Sequence, residues 1–185
     1  LEKVLTKGMT PQQLREASSY AVSLANKAIR EAAKDTEEYA NMGTTLVSAV
    51  TYPDGVAVIN VGDSRAYHIN EDGITRLTRD HSVVEDLVAR GQITPEQARQ
   101  HPQKNLITRA LGAESKLRAD LFRQAMEPGD ALLLCSDGLS NMVSDQELLY
   151  EVLHGGPAED CCRRLLDIAL SRGAPDNVTA VLLQM

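Results

Sequence analysis

Four β-branched and apolar segments follow one another between residues 44 and 77, joined by turns too short to contain a helix. The segments are residues 44–52, 56–61, 65–69 and 74–77, with Pro53-Asp54-Gly55, Gly62-Asp63-Ser64 and Asn70-Glu71-Asp72-Gly73 between them. Parallel strands need a connection of about a dozen residues or more. The stretch therefore predicts an antiparallel meander and disfavours a doubly wound parallel sheet.

Helical patterns flank this strand-rich region. Residues 11–34 predict a long amphipathic helix that opens with Pro11 and a capping box of Thr10 and Gln13. Its predicted buried stripe is Leu14, Ala17, Ala21, Leu24, Ala28, Ile29 and Ala32. Helices are also predicted at 144–153 and 158–171, before a closing strand at 178–183. We expect an α+β fold, an antiparallel β-sandwich flanked by helix layers, in which residues 1–185 form one domain.

Two further segments complete the prediction. Residues 83–101 form a polar surface insertion of two short helices, capped by Ser82 with Glu85 and by Thr94 with Gln97 and separated by Gly91. Residues 117–126 predict a strand that pairs with 131–135 through the turn at Pro128-Gly129.

Charge and cysteine content exclude some classes of protein. The formal net charge of −7 argues against a general nucleic-acid or anionic-membrane binder. No apolar run is long enough to span a bilayer, and residues 1–7 lack the features of a signal peptide. The three cysteines are an odd number and two of them are adjacent, so they are interpreted as reduced thiols of a cytoplasmic protein. They also lack the paired spacing of a zinc site.

Three aspartates stand at predicted strand borders beside small or turn-forming residues: Asp63, Asp137 and Asp176. Carboxylate oxygens suit hard cations such as Mg²⁺ and Mn²⁺. The alternative is that each aspartate satisfies only its own turn. Spacing alone favours this alternative.

Six motifs in order change that balance. They are Met42-Gly43-Thr44-Thr45, Val61-Gly62-Asp63-Ser64-Arg65, Leu77-Thr78-Arg79-Asp80-His81-Ser82, Ile107-Thr108-Arg109-Ala110-Leu111-Gly112, Ser136-Asp137-Gly138-Leu139 and Asp176-Asn177-Val178-Thr179. In order and rough spacing the chain resembles the metal-dependent protein phosphatases, the type 2C Ser/Thr family, in its bacterial form. The resemblance implies a β-sandwich flanked by helices, a Mg²⁺ or Mn²⁺ centre, and hydrolysis of phosphoserine and phosphothreonine by metal-bound water.

The resemblance also implies roles for single residues. Asp137 and Asp176 match the two catalytic aspartates that bind the first metal of the family's pair. Asp63 matches the aspartate that, with Asp137, holds a third ion in bacterial members. Asn177 orients its loop, and residues 83–101 match the flap beside the active site. The implied partners are phosphoproteins and a cognate Ser/Thr kinase.

The chain departs from the family pattern before Met42. The family's phosphate-binding Arg segment and its Asp-Gly-Met/His-Gly-Gly segment, whose Asp bridges the metals, have no match, and the only Asp there is Asp35, followed by Thr36. We expect a chain that lacks the family's first strands. Three readings stay open: an active phosphatase, a catalytically inactive binding or regulatory module, and a truncated form. A monomer is expected unless strands are swapped between chains.

Five other residues are candidates for a functional role, each with a purely structural alternative. His81 is either a proton donor or a hydrogen-bonded loop residue, and Arg65 either meets phosphate or pairs with a carboxylate. The second interpretation is favoured for both. Cys135 is expected in the core, and Cys161 and Cys162 show no sign of a nucleophile.

Overall fold

The computed structural model describes residues 9–34 and 37–185, so the expectations for residues 1–7, Asp35 and Thr36 lie outside the described residues. Seven strands and six α-helices follow in the order α1 (Pro11–Ala32), β1 (Leu46–Tyr52), β2 (Gly55–Val61), β3 (Arg65–Asn70), β4 (Gly73–Arg76), α2 (Val83–Ala89), α3 (Pro95–Arg99), β5 (Asp120–Ala125), β6 (Ala131–Cys135), α4 (Asp137–Ser140), α5 (Asp145–His154), α6 (Ala158–Ser171) and β7 (Ala180–Gln184).

The strands form two antiparallel sheets, ordered β1-β2-β5 and β4-β3-β6-β7. Alternate side chains of β2 point to opposite faces of its sheet, one towards the second sheet and the other towards α1. Val56 and Val58 pack between the sheets with Leu132 of β6, while Ile59 and Val61 pack against α1. Residues of the second sheet that point the other way pack on α4, α5 and α6. The predicted α+β sandwich between helix layers is confirmed.

Two predicted strand pairings are wrong. The meander is instead two hairpins in different sheets, because the chain crosses from β2 in one sheet to β3 in the other at Gly62–Ser64. Residues 117–126 do not pair with 131–135: β5 pairs with β2, and β6 lies between β3 and β7. Met126, in the connection, is buried between the two sheets. Apolar alternation cannot tell a neighbour in the same sheet from one across a sandwich.

The buried face of α1 is rotated from the predicted stripe. Leu24 is 46% exposed, whereas Val22 and Asn26 are buried. The Asn26 amide donates to the backbone oxygen of Glu114 (2.8 Å) and accepts from the N–H of Gly112 (2.7 Å). A polar residue therefore faces inward because it holds the 112–114 backbone against the helix. The predicted capping box of Thr10 and Gln13 is present.

Candidate metal centre

Sheet register gathers the three candidate aspartates. Arg65 at the start of β3 lies opposite Cys135 at the end of β6, and Cys135 lies opposite Ala180 at the start of β7. Asp63 precedes β3, Asp137 follows β6 and Asp176 precedes β7. Because neighbouring strands run antiparallel, all three residues emerge at the same end of the sheet.

Asp137 does not sit in the expected turn. It is the first residue of the short helix α4. The loop of Asp176 lies directly against this helix: a Cβ added to Gly138 would lie 2.3 Å from the backbone oxygen of Asn177. Ser136 fastens the same contact, because its Oγ donates to the Asn177 oxygen (3.2 Å) and accepts from the N–H of Thr179 (3.0 Å). Gly138 is thus required by a close backbone approach that brings two aspartates together.

Replacing Gly138 by Ala is expected to push the Asp176 loop away from α4. Overpacking of this kind costs about 1–3 kcal/mol of unfolding free energy, which chemical denaturation would measure. The matched control is Ser140→Ala in the same helix, since it adds no atom and removes a buried hydroxyl that has no hydrogen-bond partner among the described residues. Equal stability of the two variants would contradict the close approach.

The aspartates repel one another. Burial, followed by the charge of Asp137, raises the pKa of Asp63 to about 6. Burial, followed by the charge of Asp176, raises the pKa of Asp137. Asp137 is therefore the shared neighbour of the other two carboxylates, and the site concentrates negative charge that its surroundings do not neutralise.

The nearest cation is already paired. Arg65 Nη2 donates to Asp80 Oδ2 (2.7 Å), and Arg65 Nε lies 3.1 Å from both Asp80 oxygens. Arg65 also donates to the hydroxyl of Tyr67. Of the two interpretations of Arg65, the structure has the ion pair. The sequence did not identify Asp80 as the partner of Arg65, because nothing in the spacing of the two residues links them.

His81 is buried beneath the site and holds the Asp63 loop. Its ring nitrogen Nδ1 accepts a hydrogen bond from the backbone N–H of Gly62 (2.9 Å), and its backbone N–H donates to the backbone oxygen of Gly62 (2.9 Å). The other ring nitrogen, Nε2, lies 3.1 Å from an Asp120 oxygen and 2.9 Å from Arg109 Nη1. The structure supports the hydrogen-bonded interpretation of His81 over that of a proton donor.

An open cleft of about 470 Å³ contains Asp63 and Asp137. The helices α2 and α3 form one wall, and residues 140–147 with Arg172 form the other. Arg76 and Arg172 in the lining pair with Glu85 and Glu147. Arg99 and Lys104 line the cleft without an ion pair to any described residue.

The donor set suits a hard cation that keeps much of its water. Among residues 9–34 and 37–185, no three His, Cys, Asp or Glu side chains are close enough to hold a metal ion between them. Mg²⁺ is commonly held by only one or two carboxylates, with waters completing its shell. Uncompensated carboxylates around Asp137 fit such an ion.

The cysteines offer no competing chemistry. All three are free thiols, and Cys135 and Cys161 are buried. Burial raises the pKa of Cys135 to about 12 and that of Cys161 to about 11, and it also raises the pKa of Cys162. The thiolate needed for nucleophilic attack is therefore disfavoured. In the described part of the chain, no helix is both long and apolar enough to cross a bilayer.

Comparison with known proteins gives a consistent result. A family model described as protein phosphatase 2C matches residues 1–182. The serine/threonine phosphatase stp of Listeria innocua is 36% identical over 182 residues, which are 98% of this chain and 72% of that protein.

Solved structures agree with the sequence match. Serine/threonine phosphatase Stp1 from Staphylococcus aureus superimposes with a TM-score of 0.89 at 39% identity, covering 98% of this chain and 70% of the other. The catalytic domain of PstP, solved in complex with two manganese ions, has a TM-score of 0.82 at 34% identity and covers 98% of this chain and 74% of the other.

Proposed function

This chain belongs to the protein phosphatase 2C family, and from that premise we propose that it is a metal-dependent protein serine/threonine phosphatase. The proposed reaction is hydrolysis of phosphoserine and phosphothreonine side chains. Relatives named serine/threonine phosphatases support it. The observation that carries it is the β3-β6-β7 register, which brings Asp63, Asp137 and Asp176 to one end of the sheet, beside an open cleft that Asp63 and Asp137 line.

The proposed ligands are Asp63, Asp137 and Asp176, with Asp137 shared. Asp137 and Asp176 would hold one Mg²⁺ or Mn²⁺ ion, and Asp137 with Asp63 would hold another. This assignment agrees with the repulsion of Asp137 by Asp176 and of Asp63 by Asp137. A bound divalent cation would neutralise charge on the phosphoryl group and favour ionisation of water at neutral pH.

The remaining residues of the cleft would bind the substrate or hold the site in place. Arg99 and Lys104 would attract the phosphorylated segment, since neither cation is engaged by a described carboxylate. Residues 83–101 form the flap at its mouth, within a single domain. His81 fixes the backbone at Gly62, next to Asp63, and the Arg65–Asp80 pair holds the Arg65 side chain in the lining of the cleft.

The inactive-module alternative lacks a supporting observation in the described residues and among these relatives. Phosphoproteins of a Ser/Thr kinase in the cytoplasm are the proposed substrates, and the proposed state is a monomer. The kinase and the substrates are inferred from the chemistry of the reaction.

Phosphate release from a phosphothreonine peptide tests the function. We expect turnover with Mn²⁺ or Mg²⁺, none after chelation, and recovery when the metal is restored. A phosphotyrosine peptide of the same sequence is the matched control. Turnover that persists in excess chelator would contradict a metal-dependent reaction, and absence of turnover in a folded, metal-loaded sample would contradict phosphatase activity of this chain.

A further inference from the structure

A second cleft lies away from the candidate metal centre, between α1 and the edge strand β5. Its volume is about 620 Å³. The helix contributes Arg15, Ser18 and Ser19, and the other wall is the backbone and side chains of residues 118–123. The hydroxyl of Ser18 is buried there without a hydrogen-bond partner in the described residues.

The cleft carries positive charge in a negatively charged protein. Arg15, Arg118 and Arg123 line it, and none of the three side chains bonds to a carboxylate of residues 9–34 or 37–185. The formal net charge of the whole chain is −7. Because charges more than about 8 Å apart are largely screened at physiological salt, a ligand in the cleft would sense the three arginines first.

The one acidic residue in the lining is already engaged. Asp120 accepts from Arg109 Nη1 (3.0 Å) and lies 3.1 Å from His81 Nε2. Although burial opposes its ionisation, the hydrogen bonds with His81 and Arg109 lower the pKa of Asp120. Its charge is therefore shared with Arg109 and His81, and it forms no ion pair with the three arginines of the cleft.

The wall of the cleft is a sheet edge. In the order β1-β2-β5, β5 pairs only with β2 among the described strands. Every second residue of such an edge presents its N–H and C=O outward, where an added strand can pair with them. Arg118 and Arg123 are five residues apart, which in extended chain is about 16 Å.

We propose that this cleft docks an acidic, extended segment of a partner protein along β5. Acidic side chains five residues apart, on opposite faces of the added strand, would meet Arg118 and Arg123, and Arg15 would approach from the helix side. An extended peptide fits better than a nucleic acid, because three cations at a sheet edge match a few carboxylates, whereas the net charge of −7 opposes binding of a continuous phosphate backbone. This docking does not depend on the proposed phosphatase reaction.

Binding of a fluorescent peptide tests the proposal without any need for turnover. The probe is a twelve-residue peptide of Thr with Glu at positions 3, 4, 8 and 9, so that glutamates five residues apart lie on both faces, and the comparison peptide has Gln in place of Glu. Fluorescence anisotropy should show the Glu peptide binding and the Gln peptide binding about tenfold more weakly or not at all. Affinity should fall as salt is raised.

The variant Arg118→Gln/Arg123→Gln should lose about tenfold in affinity for the Glu peptide. Its matched control is Lys27→Gln/Arg163→Gln, which changes the net charge equally at exposed sites elsewhere. Both should melt like the parent protein, since all four side chains are exposed. Equal loss in the control would overturn the cleft as the site, as would unchanged binding in the first variant.

Hydrogen exchange reports whether the peptide adds as a strand. Amide exchange in residues 120–125 should slow when the Glu peptide is bound, and it should not slow in the Arg118→Gln/Arg123→Gln variant. Tighter binding of a single-stranded oligonucleotide with the same dependence on Arg118 and Arg123 would overturn the proposed class of partner.

Discussion

Replacing Asp137 by Asn is expected to make the metal-free protein more stable and, at the same time, to remove its metal-dependent phosphate release. The pKa of Asp137 is raised by burial and by Asp176, so the folded state disfavours the charged form. A carboxyl whose folded pKa is raised imposes no penalty below its unfolded pKa. The penalty grows as the pH rises from there to the folded value and then stays constant.

The melting temperature of Asp137→Asn in chelator should therefore exceed that of the parent at neutral pH, and the two should converge as the pH falls below about 4. Activity should change in the opposite sense. A metal supplies several kcal/mol of transition-state stabilisation, and about 1.4 kcal/mol corresponds to a factor of ten. We expect a loss on the order of a thousandfold.

The matched control is Asp145→Asn. Asp145 is also the first residue of a helix and also lines the cleft, but it is not among the principal charges that raise the pKa of Asp63 or Asp137. This variant should keep its activity and lose slightly in stability, because a negative charge leaves a helix N-terminus. Metal-dependent turnover that survives in Asp137→Asn would contradict the assigned role of Asp137.

Breaking the Arg65–Asp80 ion pair is expected to cost more stability than breaking any exposed pair. The Asp80 and Arg65 side chains are only 8% and 22% exposed. Asp80→Ala leaves a guanidinium half-enclosed and unpaired, and loss of one partner of a buried pair costs about 3–5 kcal/mol. Urea denaturation would measure the change in unfolding free energy.

The pair of Arg163 and Glu159 is the control, since its nitrogen–oxygen distance is 3.1 Å and its side chains are 65% and 84% exposed. Glu159→Ala should cost less than about 1 kcal/mol. A double replacement, Arg65→Met with Asp80→Leu, should recover much of the loss, because it leaves no buried charge behind. A cost for Asp80→Ala no larger than that for Glu159→Ala would show that Arg65 finds water or another partner.

Local sequence patterns predicted the helices and strands well, but they predicted poorly which strands pair with each other. The capping boxes at Thr10 and Thr94 are present where the sequence placed them, because a cap depends on residues three positions apart. At Ser82 only one half of the predicted box is present, the hydrogen bond from the Glu85 N–H to Ser82 Oγ. The partner of β5 depends on which sheet the strand joins after the long 77–119 segment. Alternating apolar residues carry no information on that choice, so the predicted hairpin of 117–126 with 131–135 was wrong.

The sequence pointed to the three aspartates of the candidate site, but it did not indicate the residue pairs that hold the loops around them. Asp63, Asp137 and Asp176 stand beside glycine, serine or asparagine at strand ends, a local pattern that the ordered motifs made specific. The hydrogen bonds from Arg65 to Asp80 and from Gly62 to His81 join residues fifteen and nineteen positions apart across two loops. Such contacts follow from the fold, and a single sequence does not encode them as a spacing.

The segment that carries α2 and α3 leaves the sandwich and returns to it at nearly the same place, where backbone hydrogen bonds join its two ends. The N–H of Thr108 donates to the His81 oxygen (2.7 Å), and the N–H of Val83 donates to the Leu106 oxygen (3.0 Å). The two ends of the 83–106 segment are thus joined to each other, and ion pairs of Arg76 with Glu85 and of Arg79 with Asp86 hold its first helix to the sandwich. Beyond that helix, residues 90–105 lie outside the order of the strands, so this part of the cleft wall can vary in length and sequence while Asp63 and Asp137 keep their positions.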